Sequence, residues 1–441
     1  MHYPHLYAFI GALWLGSVAL SGKPNFNATF PAPGPTGTAA APIPVPTCPA
    51  SNVSTSSPLQ VFTISANNIT ASFIPYGARL ISLLVPDRAG QQQDVVVGFD
   101  EPALYVQNSI SNNAYIGPIV GRYANRIKNS TFVLDGTTYH IASNEFNKTQ
   151  TLHGGPVGYD QRNWTVTDHT ANSITFTLFD NGFEGFPGDV ISIATYTVSS
   201  SWSRNNTNFQ TQLTTRTVSV ALTAKTPIML SNHIYWNLNA FKQPNVLNDT
   251  FLQLPLSGRY IPTDSHLIPT GEIKDVKATI NKTLDFTSPK LIGQDIVSAN
   301  GICGNNCTGY DTCFIIDRPT NTSDWTSSPK TVVVALNMTS TTTGISMLVS
   351  TNQKAIQIYS CNAQNGTLPV KPSQVQRNKL ENMGNKTHPV DTVQKYGCVV
   401  IEPEGWIDGI NHPEWGQLSF QVFGPDTVPA VNWATYVFGR V

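Results

Sequence analysis

The chain has 441 residues, of which 12% are charged, and a formal net charge of -1. A charge so sparse and balanced offers no basic surface to neutralise a phosphate backbone, which excludes nucleic acid as a partner. The length would hold two or three average domains, or one large β-sandwich of the kind that can run to roughly 250 residues or more.

In chain order, Met1 and His2 lead into the apolar stretch Leu6 to Leu20, which closes on the small residues Ser21 and Gly22 before Lys23. Residues 1–22 therefore read as a secretory signal peptide, since the apolar run is shorter than the ~20 residues of a spanning helix. Residues 23–58 are dense in Pro, Ala, Thr and Ser, a composition that cannot bury a core and predicts an extended linker. The folded part is expected over 59–441.

There the pattern is β throughout. Val61 to Ile64, Ala71 to Ile74, Ser173 to Phe179, Ile191 to Val198, Val218 to Leu222, Thr331 to Leu336, Ile345 to Val349 and Ile356 to Tyr359 are β-branched or alternating runs separated by turn residues. Outside the leader no 12-residue stretch carries a helical stripe, so a nucleotide-binding βαβ fold is not expected. Strand upon strand implies an all-β fold, one large antiparallel sandwich forming a single domain. Ser298 to Thr308, Arg318 to Pro329 and Val370 to Lys395 read as polar surface excursions.

Fourteen Asn-x-Ser/Thr sequons fit an exported, glycosylated product. The six cysteines, Cys48, Cys303, Cys307, Cys313, Cys361 and Cys398, allow 15 full pairings, and proximity singles out only Cys303 with Cys307. Cys313 and Cys398 read equally well as reduced core residues.

Four polar islands lie beside or within apolar runs: Gly121 to Ile127, Thr151 to Gly155, Ser231 to Leu238, and Val400 to Gly405. The third sets His233 beside Tyr235 and Trp236, where apolar bulk and hydrogen-bonding groups converge. With Pro75-Tyr76-Gly77-Ala78, Asp94 to Asp100, Leu134-Asp135-Gly136, Glu184 to Asp189, Gly258 to Asp264, Tyr310-Asp311 and Asn411-His412-Pro413 in that order, the chain resembles the aldose 1-epimerase (galactose mutarotase) family from about residue 60 to 440.

The resemblance implies the galactose mutarotase-like supersandwich and interconversion of the α and β anomers of a free hexose such as glucose or galactose. That chemistry takes the proton from the C1 hydroxyl while the ring oxygen receives one, so a carboxylate and an imidazole suffice, without metal, other cofactor or covalent intermediate. Transferred residue by residue, it makes Glu402 the base, His233 the acid and His153 a donor to the same region, with Arg126 and Asp311 gripping sugar hydroxyls and Asn125 shaping their corner. Periodicity alone cannot separate Arg126 from Arg122, four residues away on the same face of a strand; the resemblance selects Arg126. Glu404 stands where the family usually shows an amide, and Pro403 is expected to break the strand and turn Glu404 away. His140, His169, His266 and His388 read as surface or loop residues, and His412 as structural.

The expected partner is a small monosaccharide, with no nucleic acid and, after leader cleavage, no membrane; the expected location is extracellular. The rival readings are a non-catalytic carbohydrate-binding protein on the same scaffold, a hexose-phosphate epimerase, and a metal site built from His153, His233, Asp311 and Glu402.

Overall fold

A computed structural model describes residues 57–111, 114–202, 209–318, 332–381 and 390–441. The expected signal peptide, all but the last two residues of the expected linker, Cys48 and His388 lie outside them.

The long strands alternate buried and half-buried residues, as in Asp189–Trp202, and alternation at period two gives each strand one core face. Nine strands, long and short, pair in the order Thr165–His169, Ser173–Asn181, Asp189–Trp202, Phe209–Ala221, Ala430–Arg440, Ile345–Thr351, Val333–Ser340, Thr250–Gln253, Lys290–Leu291. Every pairing is antiparallel. A second sheet has six strands in the order Ile234–Trp236, Val399–Glu404, Ala355–Tyr359, Asp311–Ile315, Arg259–Ile261, Lys274–Asp275.

The two sheets share a core. Trp236, Ile356, Ile358, Val399 and Ile401 cluster with Met347, Val349, Tyr436 and Phe438, and the Trp236 ring lies 4.9 Å from Tyr436. Each such large apolar side chain, fully buried, contributes roughly 1.5–3 kcal/mol. A four-stranded sheet from Phe62–Ala66 to Gln92–Asp94 joins the same cluster through Phe73, 4.6 Å from Tyr196.

Two short helices, Ala103–Ser111 and Pro372–Glu381, interrupt the strands. The second falls in a stretch read as a surface excursion. Pro372 suits a first helical turn, where its missing N–H is not needed, and the Ser373 hydroxyl and N–H both donate to Asp100. The helix is pinned by Gln374, whose Oε1 accepts from the Asp94 N–H, and by the buried Lys371–Asp94 ion pair at 2.6 Å. Cys303 pairs with Cys307 as proximity suggested. Cys398 pairs with Cys361 and is therefore no reduced core residue, whereas Cys313 is a buried thiol.

Candidate active site

Because one face of the six-stranded sheet is spent on the shared core, the alternate residues face the other way. Register places Tyr235 opposite Val400, Gln357 opposite Glu402, Ala355 opposite Glu404, Tyr359 opposite Asp311 and Cys313 opposite Gln357. Strand geometry thus gathers Glu402, Asp311, Gln357 and Tyr359 on one surface. It forms the floor of a cavity of about 580 Å³, also lined by Tyr115, Asn125, Arg126, His153, His233 and Tyr235, within the 300–1,000 Å³ range of small-molecule sites.

His233 sits between the short strand Ser231–Asn232 and Ile234–Trp236, pinned by its N–H to Pro118 and its carbonyl to the Gly117 N–H, both 2.9 Å. Its Nε2 lies 3.5 Å from Glu402 Oε1. Burial pushes the imidazole down to about 4. Burial pushes Glu402 well above the ordinary carboxylate range, and a charge on Glu404 would push it further. The two therefore share a proton at rest, and burial favours the neutral arrangement.

His153 is set by a different device. Arg126 and Ile127 pair with Leu152 and Thr151, which brings Asn125 and His153 together. The His153 N–H donates to the Asn125 carbonyl at 3.0 Å, and the Asn125 N–H donates to His153 Nδ1 at 3.1 Å. Both residues hold a left-handed backbone, with φ of +59° at Asn125 and +51° at His153, a conformation that Asn and His tolerate better than most. Gly154 follows because a Cβ there would sit 2.1 Å from the Gly121 carbonyl oxygen. Burial, and then His233, keep the His153 pKa well below the usual imidazole value, so the ring is neutral. With Nδ1 accepting, its proton is on Nε2.

That tautomer decides the metal question. His153, His233 and Glu402 offer ligand atoms within 4.8 Å of one another. A histidine that binds metal through Nε2 normally donates from Nδ1 to an acceptor, but His153 Nδ1 faces an N–H that can only donate. The donor set does not fit a metal ion.

Arg126 and Arg122 separate cleanly. Arg122 is buried against Asp180, 2.7 Å away, and donates to the Pro187 and Gly188 carbonyls, so it is structural. Arg126 reaches the cavity, held by Glu145 through Nε at 2.8 Å and Nη2 at 2.9 Å, with Nη1 4.0 Å from Asp311. Burial, which alone would lower its pKa, is outweighed by the Glu145 and Asp311 carboxylates. Asp311 accepts from Gln357 Nε2 at 2.5 Å, and burial raises its pKa against the pull of Arg126.

Pro403 does not break its strand. The neighbouring strand ends where Ile234 meets Ile401, so the missing Pro403 N–H costs no ladder bond there, while its carbonyl accepts from Ser231 Oγ and Asn432 Nδ2. The strand runs on to Glu404, which shares the face of Glu402 and accepts from Asn125 Nδ2 at 2.8 Å. The expectation that Glu404 turns away is therefore corrected.

Sequence reasoning missed Glu145, which lies on irregular chain without a motif. It also missed Gln357, although a polar residue between Ile356 and Ile358 was a readable signal. Four of the histidines set aside keep their reading: His140, His169 and His266 are exposed, and His412 stacks on Trp415 at 4.0 Å.

The fold is that of galactose mutarotase-like proteins. An aldose epimerase homologue from C. elegans superposes with a TM-score of 0.68 at 27% identity, covering 87% of this chain and 99% of the other. The aldose 1-epimerase family model matches residues 60–421. A probable aldose 1-epimerase from Arthroderma benhamiae is 65% identical over 94% of this chain and 93% of its own length. Human galactose mutarotase is 28% identical over 81% and 88%. The chain belongs to the aldose 1-epimerase family of isomerases.

Proposed function

We propose that the protein is a secreted enzyme that interconverts the α and β anomers of a free hexose by proton transfer between Glu402, His233 and the sugar. The observation that carries this reading is the 3.5 Å approach of His233 Nε2 to Glu402 Oε1 on the cavity floor. O1 and ring O5 of an aldose are both bonded to C1, so the base on one and the acid on the other must be close neighbours. In the reactive arrangement Glu402 is charged and His233 carries the proton. Glu402 takes the proton from the C1 hydroxyl, His233 gives one to O5, and the ring opens. Rotation about the C1–C2 bond and the reverse transfers close it on the other face. His153 supplies a neutral Nε2–H to the oxygen on which charge develops. Arg126, with two of its donor positions held by Glu145, presents Nη1 to the sugar hydroxyls, and Asp311 accepts from them.

The neutral hexose, rather than its phosphate, is favoured because Arg126 is already matched by Glu145 and Asp311. Export is supported by the leader and by the sequons: Asn68, Asn129, Asn147, Asn163, Asn248, Asn281, Asn306 and Asn365 are all exposed, as glycan attachment requires. Polarimetry of freshly dissolved α-glucose, α-galactose and α-xylose is expected to show catalysed decay for at least one hexose. Binding of all three without accelerated decay would make the protein a carbohydrate-binding module.

A further inference from the structure

Glu404 is not a cavity-lining residue, and the mechanism above does not use it. It is completely buried, two residues from Glu402 on the same strand face, and its Oε1 accepts from Asn125 Nδ2 at 2.8 Å. Asn125 is fully committed. Its Oδ1 accepts from the Arg126 N–H at 3.0 Å and its own N–H donates to His153 Nδ1 at 3.1 Å. One residue thus ties Glu404 to both a sugar-gripping arginine, through its side-chain amide, and a catalytic-face histidine, through its backbone N–H.

Charge decides the form in which Glu404 does this. Four carboxyl groups, Glu145, Asp311, Glu402 and Glu404, crowd one guanidinium, that of Arg126. All four cannot be ionised out of water against one cation. Glu145 and Asp311 face Arg126 directly and Glu402 has His233, whereas among the described residues Glu404 has only a neutral amide on Oε1, and its Oε2 meets no donor. The proton belongs on Glu404.

We propose that Glu404 is a positioning residue that works as a neutral carboxylic acid, holding Asn125 and through it His153 and Arg126 in place beside Glu402. The inference rests on the reading of Glu402 as base. The titratable groups facing Glu404 are Glu402 on its own strand, Asp311 and the Cys313 thiol on the strand Asp311–Ile315 of the same sheet, Arg126, and the Tyr123 phenol. Burial raises the thiol and the phenol, so both stay neutral. Burial, opposed by Asn125, likewise lifts Glu404 to about 8. Above that pH a negative charge on Glu404 beside the Glu402–His233 pair opposes ionisation of the base and disturbs the network, so activity of the parent enzyme falls as pH rises through about 8.

The test is the pH profile of kcat/KM for the full chain, corrected for spontaneous mutarotation, in E404Q and E404L. Glutamine keeps the acceptor and donor of a neutral acid but cannot ionise. It is expected to remove the alkaline fall while recovering most of the neutral rate that E404L loses, about tenfold or more as a buried donor is left without its acceptor. An E404Q profile that still falls through the same pH would overturn the proposal, as would an inactive but folded E404Q, which would make Glu404 a working carboxylate. Should E404L fail to fold, E404Q decides alone. E402Q keeps the two readings apart: activity in E402Q would remove Glu402 as base, whatever E404Q shows.

Discussion

Glu145 is the residue whose role is least visible from its surroundings in sequence. Its carboxylate takes the Nε and Nη2 sides of Arg126 and also accepts from Gln150 Nε2 at 2.7 Å. Two parallel charge-assisted bonds fix a planar guanidinium in both position and orientation. Glu145→Gln leaves Arg126 with one acceptor in place of two, and its donors turn toward Asp311. Sugar affinity is expected to suffer more than turnover: KM should rise about tenfold, the size of one lost hydrogen bond to a charged group, with a smaller change in kcat. An unchanged KM in steady-state kinetics would remove Glu145 from the positioning of the sugar. The reach of sequence stopped at such residues. His233, His153, Glu402, Arg126, Asn125 and Asp311 stood in motifs and come together around one cavity, but Glu145 and Gln357 touch them only through tertiary structure. Glu404 was misjudged because a proline is a strand breaker only where its N–H is needed.

At the scale of elements, the strands were legible because half-buried strands write their period into the sequence, and Ser173–Asn181 and Ile345–Thr351 alternate without a break. The helix Pro372–Glu381 was not, because its buried residues are Gln374 and Asn378, four apart on one face. A helix docked by amides has no apolar stripe to read. The Cys361–Cys398 bridge was likewise invisible. It ties a cavity-side loop to the residue just before the strand Val399–Glu404, across a separation of 37 residues. Closing a loop of that length in the unfolded chain is worth roughly 3–4 kcal/mol. Replacing both cysteines by serine should lower the denaturation midpoint accordingly and shift the helix and rim before the core. Equal stability of the two chains in urea would mean that the bridge constrains nothing.

For the whole molecule, the described residues from Ser57 onward are one folded unit in which a nine-stranded sheet supplies the core and a six-stranded sheet spends its second face on the cavity. The chain enters that unit at Pro58, whose carbonyl accepts the Tyr76 N–H at 3.0 Å. A sandwich this large makes the site rigid, since the proposed base stands on Val399–Glu404 and the proposed acid immediately precedes that strand's paired neighbour, Ile234–Trp236. Rigid placement of a proton donor and acceptor is what acid–base catalysis requires. The most direct measurement is the polarimetric decay of fresh α-galactose and α-glucose with E402Q and H233N beside the parent, together with calorimetric sugar binding. The account predicts that each substitution lowers turnover by ~10²-fold or more while sugar still binds. Parent-like turnover in either variant would contradict it.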